Sequence, residues 1–377
     1  MTIFSGGNVY EKLDVRRVIN AMGNQTVLGG STPSDAVREA MEHANVSYVE
    51  MEELLAKSGE FIAKTLGTEA GYVTAGCAAA MALSAAACMT GDDSEKIYRL
   101  PDTSGMKNEI LIQKKQRYSY DRCYTVTGAK LLEVGDDQGC TEQQLTEAIG
   151  PNTAAVAYFI QKDWDDSVLS LDEVVRIAHE NNVPVIADAA SQNYPLDYMI
   201  GNANAADLVC FGAKYFGAPH STGFLCGKKE LVDAAIANGF IGFHTGGRKA
   251  IGRPLKVDRQ DVVAVIAALD EWFTMNHEDR LISIDNRLTT MESDLQGIPN
   301  VEAKVVRHEN FWGASLQLTL DSGFGKSAKE VADDLDRGEP RIWVNPETEN
   351  TIIVNAHTLK EGEGAIVAQQ LRQSLLS

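Results

Sequence analysis

Two short apolar runs each end in a residue able to do chemistry. Val183-Pro-Val-Ile-Ala187 leads into Asp188, and Leu208-Val-Cys-Phe211 leads through Gly212 and Ala213 to Lys214. Runs of this length, bounded by small residues, read as buried strands. Neighbouring strand ends would then deliver a carboxylate and an amine to one place. A carboxylate ending a buried strand is costly without a cationic partner. An amine in a partly desolvated site has a lowered pKa and becomes a usable nucleophile and base. Pyridoxal 5'-phosphate (PLP) needs both: a lysine to form a Schiff base with its aldehyde, and an aspartate to keep its ring nitrogen protonated, so that the ring acts as an electron sink. Lys214 and Asp188 are therefore the candidate catalytic residues and also candidate cofactor contacts. Singly they say little, because a loop lysine is ordinarily a solvated surface residue and a strand-end aspartate can cap a helix or bind a metal. The pairing carries the reading.

The phosphate needs its own cradle. Gly71-Tyr-Val-Thr-Ala-Gly76 reads as a strand entering a turn, and a helix of small residues follows from Cys77 to Met89. Backbone N–H groups at a helix start bind phosphate, aided by the macrodipole. Gly76, Cys77 and Ala78 are the candidates. The same location would lower the pKa of the Cys77 thiol, although its reading is a small residue in the turn rather than a nucleophile. Gln116-Arg-Tyr-Ser-Tyr-Asp121 follows another strand end; its aromatics read as core, and one residue of the stretch is expected to cover the cofactor ring. Arg253 lies in a Gly-rich basic loop, residues 246–256, where its planar fork suits an anionic group of the substrate. The seven histidines show neither an HExxH arrangement nor ligand-like spacing with cysteine, so no metal is expected.

The elements that must position these groups alternate. A strand entering a turn is expected at 71–76, further strands at 109–113, 130–134, 154–160, 183–188 and 208–211, with helices at 34–43, 48–66, 77–89, 141–150 and 172–181 between them, and 91–108 as a loop. That alternation defines an α/β domain with a largely parallel sheet. After Phe240 the texture changes to a helix at 259–274, strands near 311–320, 341–345 and 351–355, and helices near 326–337 and 362–376, a smaller α+β domain. The expected division is an N-terminal arm and helix (1–45), a large PLP-binding domain (46–245) and a small C-terminal domain (246–377).

Composition narrows the partners. The 377 residues carry a net charge of −19, from 34 basic and 53 acidic side chains. This opposes nucleic-acid backbones and anionic membranes. The longest apolar run, 78–89, is too short to span a bilayer, and the N-terminus lacks a basic-then-apolar signal layout. Six cysteines without a CxxC pair read as reduced thiols of a cytoplasmic protein.

With these residues in hand, the chain resembles the fold-type I PLP enzymes of the selenocysteine synthase-like group, which includes L-seryl-tRNA(Sec) selenium transferase and D-glucosaminate-6-phosphate ammonia lyase. The stretches that carry the resemblance are Val18–Gly23, Leu28–Ser31, Leu100–Thr103, Lys107–Glu109, Leu132–Gly135, Pro184–Asp188, Gly212–Lys214 and Ile251–Lys256. The resemblance implies the PLP-dependent transferase fold, a seven-stranded-type sheet, and a homodimer or an assembly of dimers with active sites at subunit interfaces. It implies Lys214 as the Schiff-base lysine, Asp188 as the pyridine partner and Arg253 as a basic-loop contact to cofactor or substrate. Three positions depart from the group: Phe211 stands where a phosphate-binding serine is usual, Gln116 where a ring-facing histidine is usual, and Gln161–Asp166 differs from the lyase loop. There is little room for a tRNA-binding N-terminal domain, and the acidic charge points the same way. The expected activity is a PLP-dependent lyase that deprotonates Cα of a small, hydroxylated amino acid and eliminates the β substituent, with ammonia and a 2-oxo acid as products. Racemase, aldolase and aminotransferase chemistry share the first step, and a tRNA-linked selenium transferase-like protein is the remaining alternative.

Overall fold

The computed structural model describes residues 8–245, 247 and 249–377. Gly246 and Arg248 of the basic loop lie outside the described residues. Two compact units are present, 31–274 and 1–30 with 275–377.

The larger unit is built on a seven-stranded sheet: β1 (Ala70–Thr74), β2 (Glu109–Gln113), β3 (Lys130–Val134), β4 (Thr153–Phe159), β5 (Val185–Asp188), β6 (Leu208–Gly212) and β7 (Gly223–Gly227). Their order is β1-β7-β6-β5-β4-β2-β3. Only β7 runs antiparallel to its neighbours. The central strands are buried along their whole length, β5 and β6 without an exposed residue. This is why they read as continuous apolar runs rather than alternating ones. Helix Cys77–Thr90 packs on the sheet through alanines, almost all of them buried. Helix Leu171–Glu180 begins in a capping box between Ser170 and Glu173.

The units divide elsewhere than at 45/46 and 245/246. Helix Asp35–Asn45 and helix Arg259–Thr274 pack on each other inside the larger unit. Ser34 Oγ donates to Glu271 (2.7 Å), and Arg259 Nε donates to the carbonyl of Ala44 (2.7 Å). In the smaller unit, strand Val18–Asn20 pairs in parallel with Arg341–Trp343, so the N-terminal segment is sheet rather than a loose arm. Its second sheet combines Val301–Arg307, Ala314–Leu320, Asn345–Pro346 and Thr351–Asn355. Leu288, Leu316, Ile352 and Leu371 lie in its core. Residues 91–108 contain a short helix, Ser94–Arg99, capped by Asp93, where a loop was expected. Among the described residues no helix is long and apolar enough to cross a membrane.

Asp207, just before β6, is buried and ties three elements together. Its carboxylate accepts from the backbone N–H of Val185 (2.7 Å), from His179 Nε2 (2.9 Å) and from Lys228 Nζ (2.6 Å). Burial pushes this carboxyl up, but the bonds from Lys228, His179 and Val185 outweigh it and hold it below the usual range. A depressed carboxyl stabilises the fold above its unfolded pKa of about 3.9, and that contribution is lost as pH falls through the lower folded value. Asp207→Ala is expected to cost on the order of 2–3 kcal/mol at neutral pH. In urea melts, the difference from the parent protein should shrink toward the acid end.

Candidate active site

β5 and β6 are adjacent and parallel, with Asp188 opposite Cys210 in register. Both carboxyl ends therefore open on the same side, and Lys214 follows in the short 3-10 turn Ala213–Phe216. The turn is closed by the N–H of Ala213 donating to Thr222 O (3.0 Å) and that of Ala218 donating to Ala213 O (3.2 Å). Strand order thus sets the strand ends that carry the carboxylate and the amine side by side.

Asp188 is 2% exposed. It accepts from the Tyr118 hydroxyl, from the N–H of Ala190 (2.9 Å) and from Cys77 Sγ (3.4 Å). Burial pushes its pKa up, and these three donors pull against that. Among the described residues no ion pair reaches it. Lys214 is half-buried, which lowers its pKa, and its Nζ lies 5.0 Å from the centroid of the Tyr215 ring.

The helix start stands beside the pair. Gly76 is the N-cap of helix Cys77–Thr90, at φ 88 and ψ 167. Side chains avoid that backbone region. Ala78 is exposed, so the first turn is open to a ligand. Behind it, a Cβ at Gly223 would come within 2.7 Å of the Cys77 nitrogen, which shows how closely β7 supports the turn. The Cys77 thiol is not activated. Burial first, and then the charge of Asp188, push its pKa well up and override the helix-start effect expected from sequence.

Other expectations land differently. Gln116 is fully buried and donates from Nε2 to Phe159 O (3.2 Å), while Tyr118, two residues on, reaches Asp188. Phe211 stacks on Phe224 at 5.0 Å and belongs to the core. Arg253 sits exposed on the 3-10 turn Arg253–Leu255, with no hydrogen bond to Asp188 or Lys214 among the described contacts. Sequence reasoning quoted the stretch that holds Tyr118 without singling that residue out, and passed over Tyr124 and His220. Tyr124 is buried near Asp188, and its hydroxyl has no hydrogen-bond partner. His220 has a buried, unpartnered Nδ1, and burial and the Lys214 charge lower its pKa. No spacing rule marks a tyrosine that folds back over a strand end.

These residues fit PLP. A sealed carboxylate without a cationic side chain suits a ring nitrogen, an amine of lowered pKa suits the aldehyde, an open helix start suits the phosphate, and the orphaned Tyr124 hydroxyl offers a polar contact where buried groups are normally satisfied. The fold and this site together define a PLP-dependent enzyme of fold type I.

Comparison with known proteins agrees. The family model for aminotransferase class-V matches residues 116–244. A 5'-C-glycyluridine monooxygenase-decarboxylase from Streptomyces sp is 33% identical over 89% of this chain and 83% of the relative. The D-glucosaminate-6-phosphate ammonia lyase of Salmonella typhimurium is 30% identical over 97% of both chains. The solved structure of a D-glucosaminate-6-phosphate ammonia-lyase superposes with a TM-score of 0.82 at 26% identity, covering 98% of each chain. Sphingomonas wittichii serine palmitoyltransferase shares the fold, with a TM-score of 0.57 at 11% identity. The chain belongs to the fold-type I PLP enzyme family that contains D-glucosaminate-6-phosphate ammonia lyase, and PLP is its cofactor.

Gly76→Ala tests the cradle. The added Cβ meets no atom within 4 Å, so the cost is backbone strain, about 1–3 kcal/mol. A lower thermal midpoint and weaker PLP retention on gel filtration are the expected outcome.

Proposed function

We propose that this protein is a PLP-dependent lyase that acts on a small amino acid with a hydroxyl or other leaving group at Cβ, releasing ammonia and a 2-oxo acid. The observation that carries this is the Asp188–Lys214 pair at adjacent strand ends, in a chain 30% identical over nearly its whole length to an ammonia lyase. When bound, PLP supplies an electron sink for negative charge at the substrate Cα. Lys214, with its pKa lowered by burial, takes the Cα proton. Such positioned base catalysis contributes roughly 10²–10⁴-fold. Asp188 holds the ring-nitrogen proton, and the N–H groups from Gly76 to Ala78 hold the phosphate. The net change balances without an oxidant: a β-hydroxy amino acid loses water across Cα–Cβ, regains water at carbon, and ends as 2-oxo acid and ammonia.

Arg253 is assigned to an anionic group of the substrate. Its exposure suits a site completed by a second copy of the chain. The family membership supports a homodimer as the assembly. A cytoplasmic setting keeps the six free thiols reduced.

Borohydride treatment of the yellow holoenzyme should fix the cofactor on the peptide containing Lys214, and Lys214→Ala should lose both that adduct and turnover while keeping its melting curve. A panel of D- and L-β-hydroxy amino acids, assayed for ammonia and 2-oxo acid, should find a substrate. Inverted amino acid with no ammonia would identify a racemase. Dioxygen uptake with release of carbon dioxide would instead align the chain with its monooxygenase-decarboxylase relative.

A further inference from the structure

We propose that Tyr118 is a positioning residue: held flat against Phe159, it donates its hydroxyl to Asp188 and so keeps that carboxylate ionised and aimed at the ring nitrogen of PLP. The inference rests on the reading above that Asp188 faces that nitrogen.

The platform comes first. Phe159 is the register partner of Asp188 on the neighbouring strand, so ring and carboxylate leave the sheet side by side. Its carbonyl accepts from Gln116 Nε2 (3.2 Å) and Trp164 Nε1 (2.8 Å), and the Trp164 ring meets its edge at 6.2 Å. Tyr118 stacks on this fixed ring with centroids 4.1 Å apart and planes 1° from parallel. A ring seated this way has little freedom, and its hydroxyl lands on Asp188 Oδ2.

The second element is what surrounds Asp188. Cys77 faces it from the helix start, Tyr118 from the β2 crossover, Cys123 and Tyr124 from the 3-10 segment Asp121–Thr127, Cys210 from β6 and Tyr215 from the Lys214 turn. Burial raises the pKa of every one of them, so all are neutral at working pH. None offers a positive charge. A buried carboxyl in such company tends to keep its proton. Only hydrogen-bond donors favour the ionised form, and of the three, the Cys77 thiol is a weak donor and the Ala190 N–H is backbone. Tyr118 is the one strong side-chain donor. A carboxylate has about four acceptor positions, so three bonds leave one for the cofactor.

The test measures affinity of the apo-protein for pyridoxamine 5'-phosphate between about pH 5 and 9. This probe carries the ring and phosphate but forms no imine with Lys214. Affinity should fall on the acid side, where Asp188 in the free protein takes up a proton. Losing a bond to the charged form raises that pKa. Tyr118→Phe keeps the stacked ring, so its melting temperature should stay near that of the parent. Its acid limb should move up by about one to two pH units. Phe159→Leu, which loosens the platform and keeps the hydroxyl, should move the limb the same way by less. In Asp188→Asn the limb assigned to this carboxyl should vanish. If it vanishes there but Tyr118→Phe matches the parent, the proposal for Tyr118 is overturned and the site reading stands. If Asp188→Asn keeps the limb, the site reading itself fails.

Discussion

Asp188 is withdrawn from water, and its protein partners are a phenol, a thiol and one peptide N–H. A carboxylate so placed is unfavourable by itself, because donors of this kind recover only part of the solvation that an ion loses. On the function proposed above, the favourable counterpart is the protonated ring nitrogen of the cofactor. The apolar strand that delivers Asp188, the helix start beside it and the aromatic pair over it form a receptacle whose electrostatics are completed from outside the chain.

The same logic sets the character of Lys214. Its half-burial, in a turn between a buried alanine and a buried phenylalanine, disfavours the ammonium form and leaves an amine ready to react. One group resists ionisation because it is acidic and buried, the other because it is basic and buried. An aromatic cofactor with an aldehyde at one position and a nitrogen across the ring relieves both.

Much of this was visible in the sequence, and the reason is local. Continuous apolar runs ending in Asp188 and Lys214 mark fully covered parallel strands, and Gly76 before a run of alanines marks a strand-to-helix turn. The division into units was not visible, because it depends on helix 35–45 finding helix 259–274 more than 200 residues away, and on Val18–Asn20 pairing with Arg341–Trp343. Strand Gly223–Gly227 went unread because two glycines bound an apolar stretch of only three residues. Tyr118 was hidden for a related reason. The 3-10 turn Lys114–Gln116 reverses the chain after β2, and which side chain of the following stretch returns over Asp188 is decided by the Phe159 ring, a tertiary contact. Gln116, the residue singled out by resemblance, donates to the backbone carbonyl of Phe159.

Asp207 gives the sheet a further property. It stands at the start of the strand that carries Lys214, and it bonds the N–H of Val185, the first residue of the strand that carries Asp188. A single side chain thereby clamps the offset between the two strands at the end remote from the chemistry. Side chains on a strand alternate between faces, so a slip of one residue would turn Asp188 to the opposite face of the sheet and present Ala187 or Ala189 in its place. The offset between the strands that carry Asp188 and Lys214 is thus gauged from their opposite ends, and damage there would surface as a misaligned centre in a protein that still looks folded.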